Sequence, residues 1–368
     1  MSTPKIKRIT VCVATAILIF AITGLAYSQW QRPVPTGQKV RLTHGGQARQ
    51  YRIYAPDNYD AGTKTPLVVC LHGGGGSDDQ ISAMGMTELA NEKGFIVVYP
   101  NAINQHWNDG RESELYVDHD NTIDDVSFVM TVIDRVKEEY TIDSDRIFSM
   151  GISNGGFLTQ RLAIEHSETF SAVAIGIATM AEPLKENFAP AHPVSVLYLN
   201  GTMDPIVPYD GGEVMINLFP KLAQLSSKPK KSRGHCLSTD DAIGLWLKKN
   251  GIPDQPAVTE LEDKDPADGC TVEKSLWTGG KRKTSVALYR VVGGGHTLPG
   301  RDIRMPERIV GKTNSDIDGL EVIWDFFANH ARTAGAPTSS APVNAPAAAP
   351  TTDDAEPSNA NDADTSRK

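Results

Sequence analysis

The sequence predicts an α/β fold with a mostly parallel central sheet and helices on both faces. Three observations carry that reading. Apolar runs recur along the chain as continuous blocks, and continuous blocks mark strands buried on both faces. Helix-period stretches separate them. The alternation covers roughly 300 residues, a length that a single α/β domain reaches.

The elements follow in order. Lys39–Thr43 and Gln47–Tyr54 read as two strands joined at Gly45-Gly46, a hairpin signal. Pro66–Leu71 is an apolar run ending in a glycine cluster, and Phe95–Tyr99, Ile147–Met150, Ala172–Ile177, Val194–Leu199 and Val286–Val291 share its character. Val126, Val129, Ile133 and Val136 fall at helical spacing, with Asp124 and Asp125 at the end where the helix dipole favours acids. Ser238 followed by Asp241 resembles a capping box ahead of Ile243, Leu245 and Trp246. Leu320, Ile323, Trp324 and Phe327 form the face of a last helix. Pro220–His235 is polar and basic and reads as a surface loop.

The 368 residues carry a formal charge of −9, and 40% of them are hydrophobic. That is an ordinary globular composition. The acidic balance excludes nucleic acid as the expected partner, because phosphate binding needs a basic surface. The ends differ from the middle. Residues 1–28 hold Lys5, Lys7 and Arg8, no acid, an apolar stretch and the exit Ala26-Tyr27-Ser28. This reads as a secretory signal peptide cut near Ser28, with an uncleaved anchor as the alternative and the sole route to a membrane. Residues 333–368 have no aromatic residue, and Val343 is their one large aliphatic residue. Such a segment cannot bury enough surface to offset chain entropy, so a disordered tail is expected. Residues 29–332 remain as one domain. Its acidity is its own, since residues 29–331 contain 30 basic and 40 acidic residues.

Four glycine-rich turns carry the chemistry. Gly151-Ile152-Ser153-Asn154-Gly155 fits G-x-S-x-G between a strand and a helix. A serine there projects above the sheet at a helix N-terminus. Leu71-His72-Gly73-Gly74-Gly75-Gly76-Ser77 ends a buried strand, where glycines let backbone N–H groups approach an oxyanion. The expected donors are the N–H groups of Gly74 and Asn154. His72 reads as a brace for that loop. No Gly-Lys-Ser/Thr follows, which disfavours a phosphate loop. Asp204 follows the strand Val194–Leu199, and His296 follows the strand Val286–Val291. Serine, aspartate and histidine thus occur in the chain order of an α/β nucleophile elbow, each at a strand's C-terminal end. Ser153 is the expected nucleophile, His296 the base and Asp204 its orienting acid.

These residues resemble the secreted α/β-hydrolase esterases of the polyhydroxybutyrate depolymerase and feruloyl esterase family. The resemblance runs from about Gln38 to His330. It rests on Leu71-His72-Gly73, Arg146–Gly156, Asn200-Gly201 with Asp204-Pro205, Gly294-Gly295-His296-Thr297 with Pro299-Gly300, and Ile323–Phe327. It implies the α/β-hydrolase fold, the same five site residues, and hydrolysis of polyester, feruloyl-polysaccharide or small acetyl and aryl esters without a cofactor. Two positions depart from the family pattern. Leu298 stands where Trp is usual, which would reshape the acyl pocket, and Gly74 stands where cysteine is common. Trp107, Met203 and Leu298 are the pocket candidates, and Ile103–Asn121 with Gly211–His235 are the pocket loops.

No His-Glu-x-x-His or paired Cys-x-x-Cys occurs among the nine histidines and four cysteines, so no metal is expected. Asp118-His119-Asp120-Asn121 lacks the glycine and glutamate of a calcium loop and reads as an exposed loop. Cys12 leaves with the signal, and Cys70 lies in a buried strand. In an exported chain Cys236 and Cys270 are expected to pair, closing a loop of about 35 residues worth roughly 4 kcal/mol. A peptidase or acyltransferase on the same scaffold, and a non-catalytic binding protein, are the alternatives.

Overall fold

The computed structural model describes residues 36–216, 231–301 and 305–332. The expected signal segment 1–28, the tail 333–368 and part of the loop Gly211–His235 lie outside the described residues.

The chain opens with the hairpin β1 (Gln38–His44) and β2 (Gln47–Tyr54). Gly45 and Gly46 both have positive φ, 56° and 74°, as a two-residue hairpin turn requires. Then come β3 (Thr65–Leu71), α1 (Asp78–Ser82), α2 (Met86–Lys93), β4 (Ile96–Pro100), α3 (Val117–Asp120), α4 (Asp125–Glu139), β5 (Ile142–Ile152) and α5 (Asn154–Glu165). The second half holds β6 (Ala172–Gly176), β7 (Ser195–Gly201), the short pair β8 (Gly212–Glu213) and β9 (His235–Cys236), and α6 (Thr239–Asn250). It ends with β10 (Ala257–Glu260), β11 (Thr271–Trp277), β12 (Val286–Val292), α7 (Glu307–Val310) and α8 (Gly319–Ala328).

One ten-stranded sheet runs β1-β2-β4-β3-β5-β6-β7-β12-β11-β10. Its centre, β4 to β12, is parallel, and an antiparallel pair flanks each side. The central strands are apolar on both faces because both are covered. Leu67, Val69 and Leu71 of β3 pack with α4, α5 and α6 on one side. Val68 and Cys70 pack with α2 and α8 on the other. On that second face Phe95 stacks on Trp324 with centroids 4.1 Å apart, and Phe148 on Phe327 at 4.7 Å.

The helix starts follow their capping residues. Ser238 Oγ accepts from Asp241 N–H at 3.0 Å, and Asp318 accepts from Leu320 and Glu321 N–H. Asp124 caps α4 by accepting from Ser127 N–H at 2.9 Å. Asp125 has another task. It is fully buried and pairs with Arg49 at 2.6 Å, which ties α4 to β2.

The register sets the site. Leu71 lies opposite Gly151, Ile152 opposite Gly176, and Val291 opposite Gly201. The ends of β3, β5, β7 and β12 therefore open on one edge of the sheet. Crevices form there in open parallel sheets.

Candidate active site

β5 ends at Ile152 and α5 begins at Asn154, so Ser153 makes the whole turn. Its φ is 53° and ψ −123°, a strained conformation for a residue with a side chain. Ser153 N–H donates to Gly176 O at 2.9 Å. The glycines around it are demanded by contact. A Cβ on Gly155 would lie 2.3 Å from Leu71 O, and one on Gly151 would lie 2.1 Å from Gly155 O. The helix can sit this close to β3 and β5 only without those side chains.

The loop after β7 supplies Asp204. Its Oδ1 accepts from the N–H groups of Ile206 and Val207 at 2.8 and 2.9 Å. Oδ2 is left for His296 Nδ1 at 2.7 Å. A carboxylate accepting from Nδ1–H fixes the tautomer, and His296 Nε2 then accepts from the Ser153 hydroxyl at 2.9 Å. The histidine loop is held by His296 N–H on Val310 O and Gly295 N–H on Lys312 O. Side-chain exposure is 9% for His296 and 3% for Asp204, which shelters the pair from solvent. Residues separated by 143 and 92 positions thus form one hydrogen-bonded chain. Such a chain can draw a proton from the serine and return it to a leaving group.

Gly74 lies against the elbow, since a Cβ on it would be 3.5 Å from Asn154 Cβ. Among the described residues its N–H has no acceptor. Asn154 occupies the first helical position, where an N–H lacks an intrahelical partner. His72 braces the loop. Its Nδ1 donates to Gly73 O at 2.8 Å, and its Nε2 accepts from Ala102 N–H at 3.1 Å. Burial lowers its pKa to about 4, so both bonds belong to a neutral ring.

The pocket candidates separate. Met203 is 68% exposed beside Asp204. Trp107 and Leu298 are fully buried and line no open cleft. Trp107 Nε1 donates to His72 O at 2.8 Å, and its ring packs on His72. Leu298 belongs to the core under the elbow, with Ile152 and Ile177. The position that is Trp in the resembling family here fills core.

The expected bridge between Cys236 and Cys270 is not formed, and both thiols are free. The two belong to different apolar clusters. Cys236 packs with the α6 face, and Cys270 with Val272 and Val291.

Sequence reasoning missed the support behind Asn154. Its side-chain Nδ2 donates to Asp109 Oδ2 at 2.6 Å, and Arg111 binds the same carboxylate with two nitrogens. Arg111 also lies over the Phe157 ring at 4.3 Å. Asp109 and Asn154 are 45 positions apart, and no local pattern links them. Also unforeseen is a group made of His106, His119 and Asp120.

Among the described residues no helix is long and apolar enough to cross a membrane. The sequence profile of the prolyl oligopeptidase family matches residues 82–182, a segment that contains the elbow. NocK of Nocardia uniformis subsp. tsuyamanensis, a protein named as an esterase, is 27% identical over 81% of this chain and 85% of its own length. Feruloyl esterase C of Emericella nidulans is 26% identical over 50% of this chain and 66% of that protein. The structure of acetyl xylan esterase from Aspergillus awamori superposes with a TM-score of 0.51 at 14% identity, covering 79% of this chain and 99% of that one. The chain has the α/β-hydrolase fold, and the relatives it matches are named as esterases.

Proposed function

We propose that Ser153, His296 and Asp204 are a catalytic triad that hydrolyses carboxylic esters through an acyl-enzyme. The supporting observation is the unbroken chain from Ser153 Oγ to His296 Nε2 at 2.9 Å and from His296 Nδ1 to Asp204 Oδ2 at 2.7 Å. Ser153 Oγ attacks the ester carbonyl as its proton passes to His296 Nε2. The N–H groups of Gly74 and Asn154 receive the oxyanion. The tetrahedral adduct collapses, and the leaving alkoxide takes the proton from His296. Water then attacks the acyl-enzyme and gives its proton to His296. Release of the acid returns that proton to Ser153. Asp204 keeps its hydrogen bond to His296 Nδ1 and stabilises the imidazolium in both halves.

The proposed substrates are esters carried by a polymer, feruloyl or acetyl groups on polysaccharide or a hydroxybutyrate polyester, together with small esters of the same acids. The feruloyl esterase among the relatives favours the first group. The proposed site of action is outside the cytoplasm, with residues 1–28 removed as a signal peptide, residues 29–332 as the catalytic domain and residues 333–368 as a polar tail. N-terminal sequencing of the exported protein tests the cleavage. The match to the prolyl oligopeptidase family keeps a peptidase as the second reading.

A panel of methyl ferulate, p-nitrophenyl acetate and butyrate, hydroxybutyrate oligomers and a prolyl peptide, ranked by kcat/KM, decides the class. Ester turnover is expected, with kcat falling by about 10⁴-fold or more in Ser153→Ala. Unchanged ester turnover in that variant overturns the residue assignment. Cleavage of the peptide alone overturns the substrate class. A fluorophosphonate probe that never labels Ser153 would favour a non-catalytic binding protein.

A further inference from the structure

His106 and His119 are thirteen positions apart and fit no metal-binding spacing. The fold nevertheless brings them together. His106 follows the 3-10 turn Ile103–Gln105, and His119 lies in α3 beside Asp120. One ring nitrogen of each histidine and a carboxylate oxygen of Asp120 lie within 4.8 Å of one another. His106 Nε2 and Asp120 Oδ1 are 3.3 Å apart. Two donors on one tetrahedral ion with bonds of about 2.0–2.1 Å are separated by roughly that distance. The contact is close without being aligned as a hydrogen bond. Among the described residues, His106 Nε2, His119 Nε2 and Asp120 Oδ1 are buried and have no hydrogen-bond partner. The histidine side chains are 5% and 8% exposed. Buried polar atoms are normally matched, so three orphans in one cluster call for a ligand.

We propose that His106, His119 and Asp120 bind a divalent transition ion, zinc by preference. Two imidazoles and one carboxylate are the donor set of zinc and its neighbours, whereas calcium and magnesium take oxygen ligands. The rings are held for the task. His106 stacks on Tyr116 with centroids 3.6 Å apart and planes 11° apart. Asp125 Oδ2 lies 3.7 Å from His119 Nε2. That carboxylate is itself fixed by Arg49 at 2.6 Å and by Asn108 N–H at 2.8 Å, and it adds negative charge beside the nitrogen that faces the ion. A surface cleft of about 490 Å³, lined by Asn108, Asp120 and Thr122 among others, opens onto Asp120 and gives an ion its way in. The ion takes no part in ester chemistry. It closes the segment from His106 to Asp120, which carries the Trp107 and Asp109 groups that hold Asn154.

The test uses the full-length protein, stripped with a chelator and titrated with zinc chloride alone. Metal content and thermal unfolding are read together. One zinc per chain and a rise in Tm are expected. Asp120→Asn and His119→Gln, which nearly preserve volume, should each weaken zinc binding at least about tenfold and remove the rise. Zinc uptake by the wild-type chain no greater than by the double variant overturns the proposal. So does an equal rise in Tm with calcium or magnesium, a comparison that needs no variant.

Discussion

Trp107 and Asn154 hold each other in both directions: Trp107 N–H donates to Asn154 Oδ1 at 2.8 Å, and Asn154 Nδ2 donates to Trp107 O at 3.0 Å. The residue after the nucleophile therefore has two separable parts. Its backbone N–H faces the oxyanion in the proposed mechanism, and its side chain anchors the loop after β4. Asn154→Ala keeps the first and removes the second. It leaves Trp107 N–H and O without their partner and takes one donor from the buried Asp109 carboxylate. At about 1–3 kcal/mol for each buried group left unmatched, with partial relaxation, a loss of about 2–4 kcal/mol is expected by urea unfolding. Activity should fall about 10–100-fold through misplacement of the elbow. Wild-type stability in this variant would show that the loop is held elsewhere.

Gly155 allows the close approach of α5 to β3. Its substitution meets backbone and not a flexible side-chain end, since Leu71 O and His72 O would lie 2.3 and 2.5 Å from an added Cβ. Gly155→Ala should therefore cost about 3 kcal/mol or more. Calorimetry should find a Tm lower by about 6 °C or more, or the protein should not accumulate in soluble form. A soluble variant with the wild-type Tm would mean that helix and strand are less tightly seated.

The four turns that meet at one edge of the sheet were legible in the sequence because each is local: a strand ends, glycines follow, and one polar residue stands at a fixed offset. The central strands were legible for a related reason, since burial on both faces leaves mostly apolar residues. β11 was not. Its buried positions, Val272, Ser275 and Trp277, are separated by half-buried residues, and Glu273 and Lys274 interrupt the apolar pattern, so it has no continuous run to find. Trp107 and Leu298 were misread because an apolar residue next to a site carries no mark of whether it faces the cleft or the core. Leu298 fills space between Gly176 and Gly319, and only the packing reveals it. The Asp109–Asn154 bond and the His106–His119 group depend on the path of one loop, which residue spacing does not encode.

The free thiols make a chemical prediction. Burial pushes the Cys236 thiol up to about 12 and the Cys270 thiol up to about 11. Thiolate, the reactive form, is scarce at pH 8 for such groups. Native protein should react slowly with a disulfide reagent at these two positions, and dithiothreitol should leave Tm unchanged. Mass analysis after blocking, reduction and relabelling checks this directly. Two thiols released only by reduction would restore the bridge.

His72 gives the stability a pH dependence whose sign can be worked out. Burial lowers its pKa from 6.5 to about 4 in the folded chain. Between those values the unfolded chain binds a proton that the native ring refuses. The unfolded state then holds more protons, so stability rises with pH across this window and is lost as pH falls through it. A depression of this size corresponds to about 3 kcal/mol, fully present above pH 6.5 and gone near pH 4. The cost is local, because a protonated ring can no longer accept from Ala102 N–H. Other carboxylates and histidines titrate in the same range, so the informative quantity is a difference. Urea unfolding at pH 7 and pH 4.5 should show a smaller drop for His72→Gln than for the wild type, by about 2–3 kcal/mol. Equal drops in the two proteins would place the histidine in contact with solvent and remove its role as the neutral brace of the Gly73–Gly76 loop.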